Sequence, residues 1–228
     1  MTSIILDIET VPIEVDRLAD YIATFEPDAM VAEEPEWVEV ETDEKPKKGK
    51  KKPKAKKAPK TASKANRGGL HWLTGRIACV GVKELGKEPI IFIDKDESVI
   101  LVGLYEYLSG KYPYNTITFN GGEFDLPFLR MRALLYGIDL AGVLPYEKFS
   151  KTHIDIYQVL GGKWQLPAKL AEYAWFFGID DIKDSGAEVA RMWEEGKLDD
   201  IANHCRGDVI STEKLYHRVF PGGKKRKY

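Results

Sequence analysis

Ile4-Ile5-Leu6-Asp7-Ile8-Glu9-Thr10 sets two carboxylates one residue apart at the end of an apolar, β-branched run. In a strand, residues two apart point to the same face, so Asp7 and Glu9 project together while Leu6 and Ile8 point the other way. Two carboxylates side by side at the edge of a buried strand repel each other and lose hydration, unless a proton or a cation is shared between them. A hard divalent metal would supply the cation. The alternative on these seven residues alone is a strand that has already ended, with both acids in a solvated turn.

Outward from this strand, Val11-Pro12 stops the run, since proline removes a ladder donor. Residues 14 to 25 form a short helix. Glu26 to Glu44 is acidic, and Lys45 to Lys60 is a lysine, alanine and proline tract without periodicity. Such a segment cannot bury enough apolar surface to offset its ordering entropy, so about 28 to 68 reads as a weakly ordered insertion. It is either a solvated solubility loop, an arm that gathers nucleic acid in a salt-dependent way, or two blocks that pair with each other.

Regular patterning resumes at Gly75. Arg76 to Leu85 and Pro89 to Ile93 read as a hairpin through Gly86-Lys87, and Glu97 to Leu108 has helical spacing. Asn115 to Phe119 is the next strand, followed by Asn120-Gly-Gly-Glu-Phe124-Asp125 and a helix from Phe128 to Tyr136. His153 to Tyr157 reads as a short strand with His153 and Asp155 on one face. Pro167 to Phe177 is helical; Ser185 opens a capping box for a helix stopping at Gly196; residues 198 to 219 form a last amphipathic helix. The order is that of an α/β fold with a mixed sheet.

Composition narrows the class. The 228 residues, 43% of them hydrophobic, suffice for one full α/β domain. Cys79 and Cys205 are too few and too far apart for a disulfide framework, and have no zinc spacing. A reducing compartment, no signal peptide and no membrane span are expected, hence a cytoplasmic, soluble chain. Residues 45 to 67 hold 12 of the 34 Lys+Arg and none of the 36 Asp+Glu, leaving 22 basic against 36 acidic residues elsewhere, or −14. An acidic body with a basic tether points to a polyanion partner, or to a metal site that offsets the body's charge.

Three features carry chemistry. Asp7-x-Glu9 lies on the first strand; Asp125 sits just ahead of a helix start, behind glycines that would let a substrate backbone approach; Asp208 follows His204 by one turn of the last helix. Gly207, inside that helix, implies close approach of the helix to the sheet. Taken singly, Asp125 reads equally as a helix cap, Asp208 as a solvated acid and His204 as a surface or satisfied histidine.

Together, Asp7-Ile8-Glu9-Thr10, Asn120 to Asp125 and His204-Cys-Arg-Gly-Asp208 resemble the motifs of the DEDD superfamily of 3′–5′ exonucleases. The likeness is closest to the proofreading domain of family-B DNA polymerases and its stand-alone bacterial and phage relatives. It covers nearly the whole chain apart from the insertion, so an exonuclease domain of residues 1–220 with a basic tail of 221–228 is expected. The resemblance implies a ribonuclease-H-like fold, and two Mg²⁺ or Mn²⁺ ions held by Asp7, Glu9, Asp125 and Asp208. Two metals roughly 4 Å apart supply the hydroxide, the stabilised equatorial charge and the stabilised leaving oxygen that phosphodiester hydrolysis asks for.

By the same resemblance Thr10, Asn120 and Phe124 flank the terminal nucleotide. Trp164 either stacks a base or anchors its loop, and Asp155 supports the site or forms a structural salt bridge. One position departs from the pattern: an imidazole, His204, stands at the spacing where the family-B branch has tyrosine. It is expected to orient or deprotonate the attacking water, since imidazole can act as a base near neutral pH.

The expected substrate is single-stranded nucleic acid, DNA before RNA, with a replication or repair partner in trans because the sequence holds no polymerase domain. Two other readings stay open. One is a ribonuclease-H-like endonuclease, and the other is a catalytically silent nucleic-acid-binding protein.

Overall fold

The computed structural model describes residues 2–25, 69–145, 150–162, 168–179 and 188–222. The expected insertion at 28–68, Trp164, Ser185 and the basic tail beyond residue 222 lie outside them.

The fold is built on β1 (Thr2–Pro12), the middle strand of a five-stranded sheet. On one side it pairs antiparallel with β2 (Gly75–Glu84), which pairs antiparallel with β3 (Ile90–Ile93). On the other it pairs parallel with β4 (Tyr114–Thr118), which pairs parallel with β5 (His153–Asp155). The order is β3-β2-β1-β4-β5, a mixed sheet as expected. Gly86, at φ 77°, makes the hairpin turn between β2 and β3.

The period-2 pattern of β1 assigns the layers. Ile4, Leu6 and Ile8 bury against α2 (Glu97–Ser109) and α3 (Asp125–Leu135), whereas Ile5 buries with Ile117 and with Val209 and Leu215 of α7 (Leu198–Val219). Asp7 and Glu9 share the α7 face. The strand does not end at them: it runs on to Pro12 through a register shift between Glu9 and Thr10, and Val11 beyond it is fully buried. The solvated-turn alternative is therefore excluded.

Behind the sheet, a buried ion pair locks α2 to α3. The Arg132 guanidinium donates to Glu97 through Nε at 2.9 Å and Nη2 at 2.6 Å, and the same carboxylate accepts from the Ile77 amide at 2.7 Å and Tyr136 hydroxyl at 3.0 Å. With so many partners, neither charge is left uncompensated.

The remaining helices are α1 (Val15–Phe25), α4 (Ile156–Val159), α5 (Leu170–Phe176) and α6 (Val189–Glu194). Two expectations need correction. The strand at His153 stops at Asp155, because the Asp155 side chain accepts from the Tyr157 and Gln158 amides and starts α4. The helix expected over 167–177 is the shorter α5. No helix among the described residues is long and apolar enough to cross a membrane.

Candidate active site

Asp7 lies opposite Gly81 of β2, and Glu9 opposite Cys79. A Cβ on Gly81 would stand 2.8 Å from Cys205 Sγ and 3.0 Å from Val209 Cγ1, so this glycine is what lets α7 settle onto the sheet. Gly207 has the opposite environment: a Cβ there would meet nothing within 4 Å. The close approach expected from Gly207 is real, but the residue that permits it is on the strand.

Seated this way, α7 delivers its side chains to β1. Cys205 Sγ lies 3.9 Å from Asp7 Oδ2, and His204 Nε2 lies 3.4 Å from Glu9 Oε1 and 3.7 Å from Asp208 Oδ2. His204 and Glu9 side chains are only 7% and 9% exposed, and that of Asp208 is 21% exposed.

Asp125 arrives from the other side of β1. The parallel ladder with β4 ends at Ile5 and Ile117, and beyond it the Ile8 amide donates to Asp125 Oδ1 at 3.2 Å. Asp125 is buried as the first residue of α3 and does not cap it. This single bond ties the second motif to the first.

The loop ahead of Asp125 is held from below by Asp155. The Asn120 amide donates to Asp155 Oδ1 at 2.8 Å and the Gly122 amide to Oδ2 at 3.0 Å, while the Gly121 amide donates to Thr118 Oγ1 at 3.1 Å. His153 Nε2 sits 2.9 Å from the same Thr118 oxygen. A Cβ on Gly121 would lie 2.5 Å from Thr118 Cβ, and one on Gly122 would lie 3.1 Å from Asp155 Oδ2. The glycines thus make room for Thr118 and Asp155, whereas the sequence had pointed to a substrate backbone. Asp155 makes no salt bridge among the described residues; it is a clamp on backbone amides. Its signal in the sequence was Asp155 followed three residues on by Gln158, the spacing of a helix cap.

Burial dominates the electrostatics. It pushes the Asp7 carboxyl well above the usual range, with Asp208, Asp125 and Glu9 adding to the shift, and it does the same to Glu9, helped by Asp208. Asp125 is pushed up to about 7, mainly by burial. Asp208 is also raised by burial, with His204 opposing. Four carboxyls whose charged forms burial disfavours are compatible with a cation site.

Among the described residues two sets of donor atoms lie within 4.8 Å of one another, Glu9, His204 and Asp208, and Asp7, Glu9 and Cys205; Asp125 is in neither. Carboxylate oxygens in this number fit a hard divalent ion. Of the softer candidates, Thr10 is half-buried just past the register shift, and Asn120, at φ 61°, and Phe124 frame the loop. The Phe124 ring packs on Phe128 with centroids 5.5 Å apart.

Sheet order and flanking helices define a ribonuclease-H-like α/β protein with an acid-lined centre on its middle strand. Solved structures agree on the fold: the family B DNA polymerase from the hyperthermophilic archaeon Pyrobaculum calidifontis superposes with a TM-score of 0.59 at 15% identity, over 96% of this chain and 24% of that one. Residues 76–221 match the model of a family described as predicted 3′–5′ exonucleases related to the exonuclease domain of PolB, and the chain belongs to that family.

The DNA polymerase of Pyrococcus glycovorans and DNA polymerase 1 of Pyrococcus abyssi are each 29% identical over 150 residues, covering 58% of this chain. The chain spans about a fifth of the length of these relatives, 19% and 20% respectively. The family match begins after β1, yet β1 pairs with β2 across Ile4 to Pro12, so the first motif belongs to the same sheet as the matched residues.

Proposed function

We propose that residues 1–220 form a metal-dependent 3′–5′ exonuclease that hydrolyses phosphodiester bonds at the 3′ end of a single strand, DNA before RNA. The observation that carries this is the convergence of Asp7, Glu9, Asp125 and Asp208, from three segments far apart in the chain, around the Asp7–Glu9 stretch of β1. Two Mg²⁺ or Mn²⁺ ions, when bound, supply an activated water and stabilise the charge on the phosphate and leaving oxygen.

The chain's own residues do the rest. The four carboxylates hold the ions, and their negative charge, balanced by the ions, no longer repels a phosphate. Asp155 fixes the loop that places Asn120 and Phe124 beside the terminal nucleotide, with Thr10 on β1 beside them. The setting is the cytoplasm, with a replication or repair partner in trans, in keeping with relatives that are DNA polymerases.

The test is a 5′-labelled single-stranded DNA incubated with Mg²⁺, with Mn²⁺ and with chelator, beside Asp7→Ala. A metal-dependent ladder shortening from the 3′ end, absent in Asp7→Ala, is the expected result. Cutting of a circular single strand would assign an endonuclease instead, and binding without cleavage under either metal would assign a silent nucleic-acid-binding protein.

A further inference from the structure

The geometry points to His204 as a metal ligand. Through Nε2 it completes, with Glu9 and Asp208, a mixed nitrogen and oxygen set that takes a first-row transition ion ahead of Mg²⁺. This rests on the reading of the carboxylate cluster as a metal centre, and adds to it which ion the centre prefers.

The His204 side chain is 93% buried and its Nε2 is turned inward between two carboxylates, 3.4 Å from Glu9 Oε1 and 3.7 Å from Asp208 Oδ2. Both separations exceed the ~2.9 Å of an ordinary N–H···O bond. They are close to the spacing of ligand atoms around a shared ion: donors about 2.1 Å from one metal stand roughly 3.0–3.5 Å apart at octahedral to tetrahedral angles. A ring nitrogen acting as general base must face water and substrate, whereas this one faces the acids.

The choice of ion follows from the donors. Carboxylate and water suit Mg²⁺, but an imidazole nitrogen is a borderline donor that favours Mn²⁺, Co²⁺ or Zn²⁺. A phenol at this position, the family-B residue, would bring no such nitrogen. His204 is then the residue by which this chain's centre differs in metal preference.

The test uses the full chain stripped of metal and titrated with Mn²⁺ and with Mg²⁺ by calorimetry, together with pulsed EPR of the Mn²⁺-loaded protein. The expected spectrum shows coupling to a ¹⁴N nucleus, shifted to the ¹⁵N pattern when the histidines are ¹⁵N-labelled and lost in His204→Gln. Mn²⁺ should bind at least about 10-fold more weakly to His204→Gln, with Mg²⁺ affinity changed by less than about 3-fold. Mn²⁺ bound without nitrogen coupling in the unsubstituted protein overturns the assignment of His204 and leaves the carboxylate centre standing. No Mn²⁺ or Mg²⁺ binding at all removes the centre and the ligand together.

Discussion

Asp125 has two roles that conflict in the absence of a cation: it accepts the Ile8 amide, and it adds a buried negative charge to three others. Its carboxyl, near 7 in the folded chain, is near 3.9 in an unfolded one. The folded state therefore binds the extra proton across this interval, so the stabilisation is complete below about pH 4 and is lost as pH rises towards 7. Asp7, Glu9 and Asp208 shift in the same direction. Glu84 acts oppositely, held down to about 2 by hydrogen bonds from Lys111 and Lys87, but its contribution is lost only as pH falls from about 4.5 to 2. In calorimetry, the metal-free protein should melt higher at pH 5.5 than at pH 7.5, and Mn²⁺ should restore the loss at pH 7.5. Asp125→Asn keeps an oxygen for Ile8, so it should raise the metal-free melting temperature at pH 7.5 while turnover falls to background; a metal-free melting temperature flat across this range would refute the argument.

At the scale of elements, α7 and the loop before α3 are each positioned by a contact that one residue alone does not reveal. Gly81→Ala forces a methyl into Cys205 and Val209 and should cost about 1–3 kcal/mol in urea unfolding. Gly207→Ala meets open space and gains helix propensity, so it should stabilise by up to about 1 kcal/mol. Asp155→Ala removes the α4 cap and strands the amides of Asn120 and Gly122; a loss of about 2 kcal/mol, with faster hydrogen exchange at those amides and a raised KM, is expected.

These cases also show what the sequence could carry. Asp7 and Glu9 were legible because a strand repeats every two residues, and the stripe from Ile201 through Cys205 to Tyr216 because a helix repeats every 3.6. For Asp155 the sequence leaves a supporting role and a salt bridge both open, because its partners in the loop are amides 33 and 35 residues away, and a local pattern holds no information about them. A missing Cβ likewise does not say whether anything is close: the helix glycine Gly207 faces open space, and the strand glycine Gly81 makes the room.

For the whole molecule, the acidic body and the basic tract are related by topology. Both ends of the segment between β1 and β2 meet at one place, since Pro12 pairs with Gly75 and Gly69 packs against the Val11 backbone. Closing so long a loop costs little more than closing a shorter one. The segment leaves β1 three residues beyond Glu9, on the strand that carries the site. If the tract acts as an arm for nucleic acid, it offsets the long-range repulsion between an acidic body and a polyanion. Deleting residues 45–64 removes 11 lysines and leaves the sheet, α7 and the Asp155 clamp untouched. Steady-state hydrolysis of a single strand should then show an unchanged kcat, a higher KM and a shallower fall of kcat/KM with salt, because fewer counterions are released on binding. An unchanged salt slope would make the tract a solubility loop, and loss of binding together with absence of turnover in the intact chain would make the protein a binder held by its lysines.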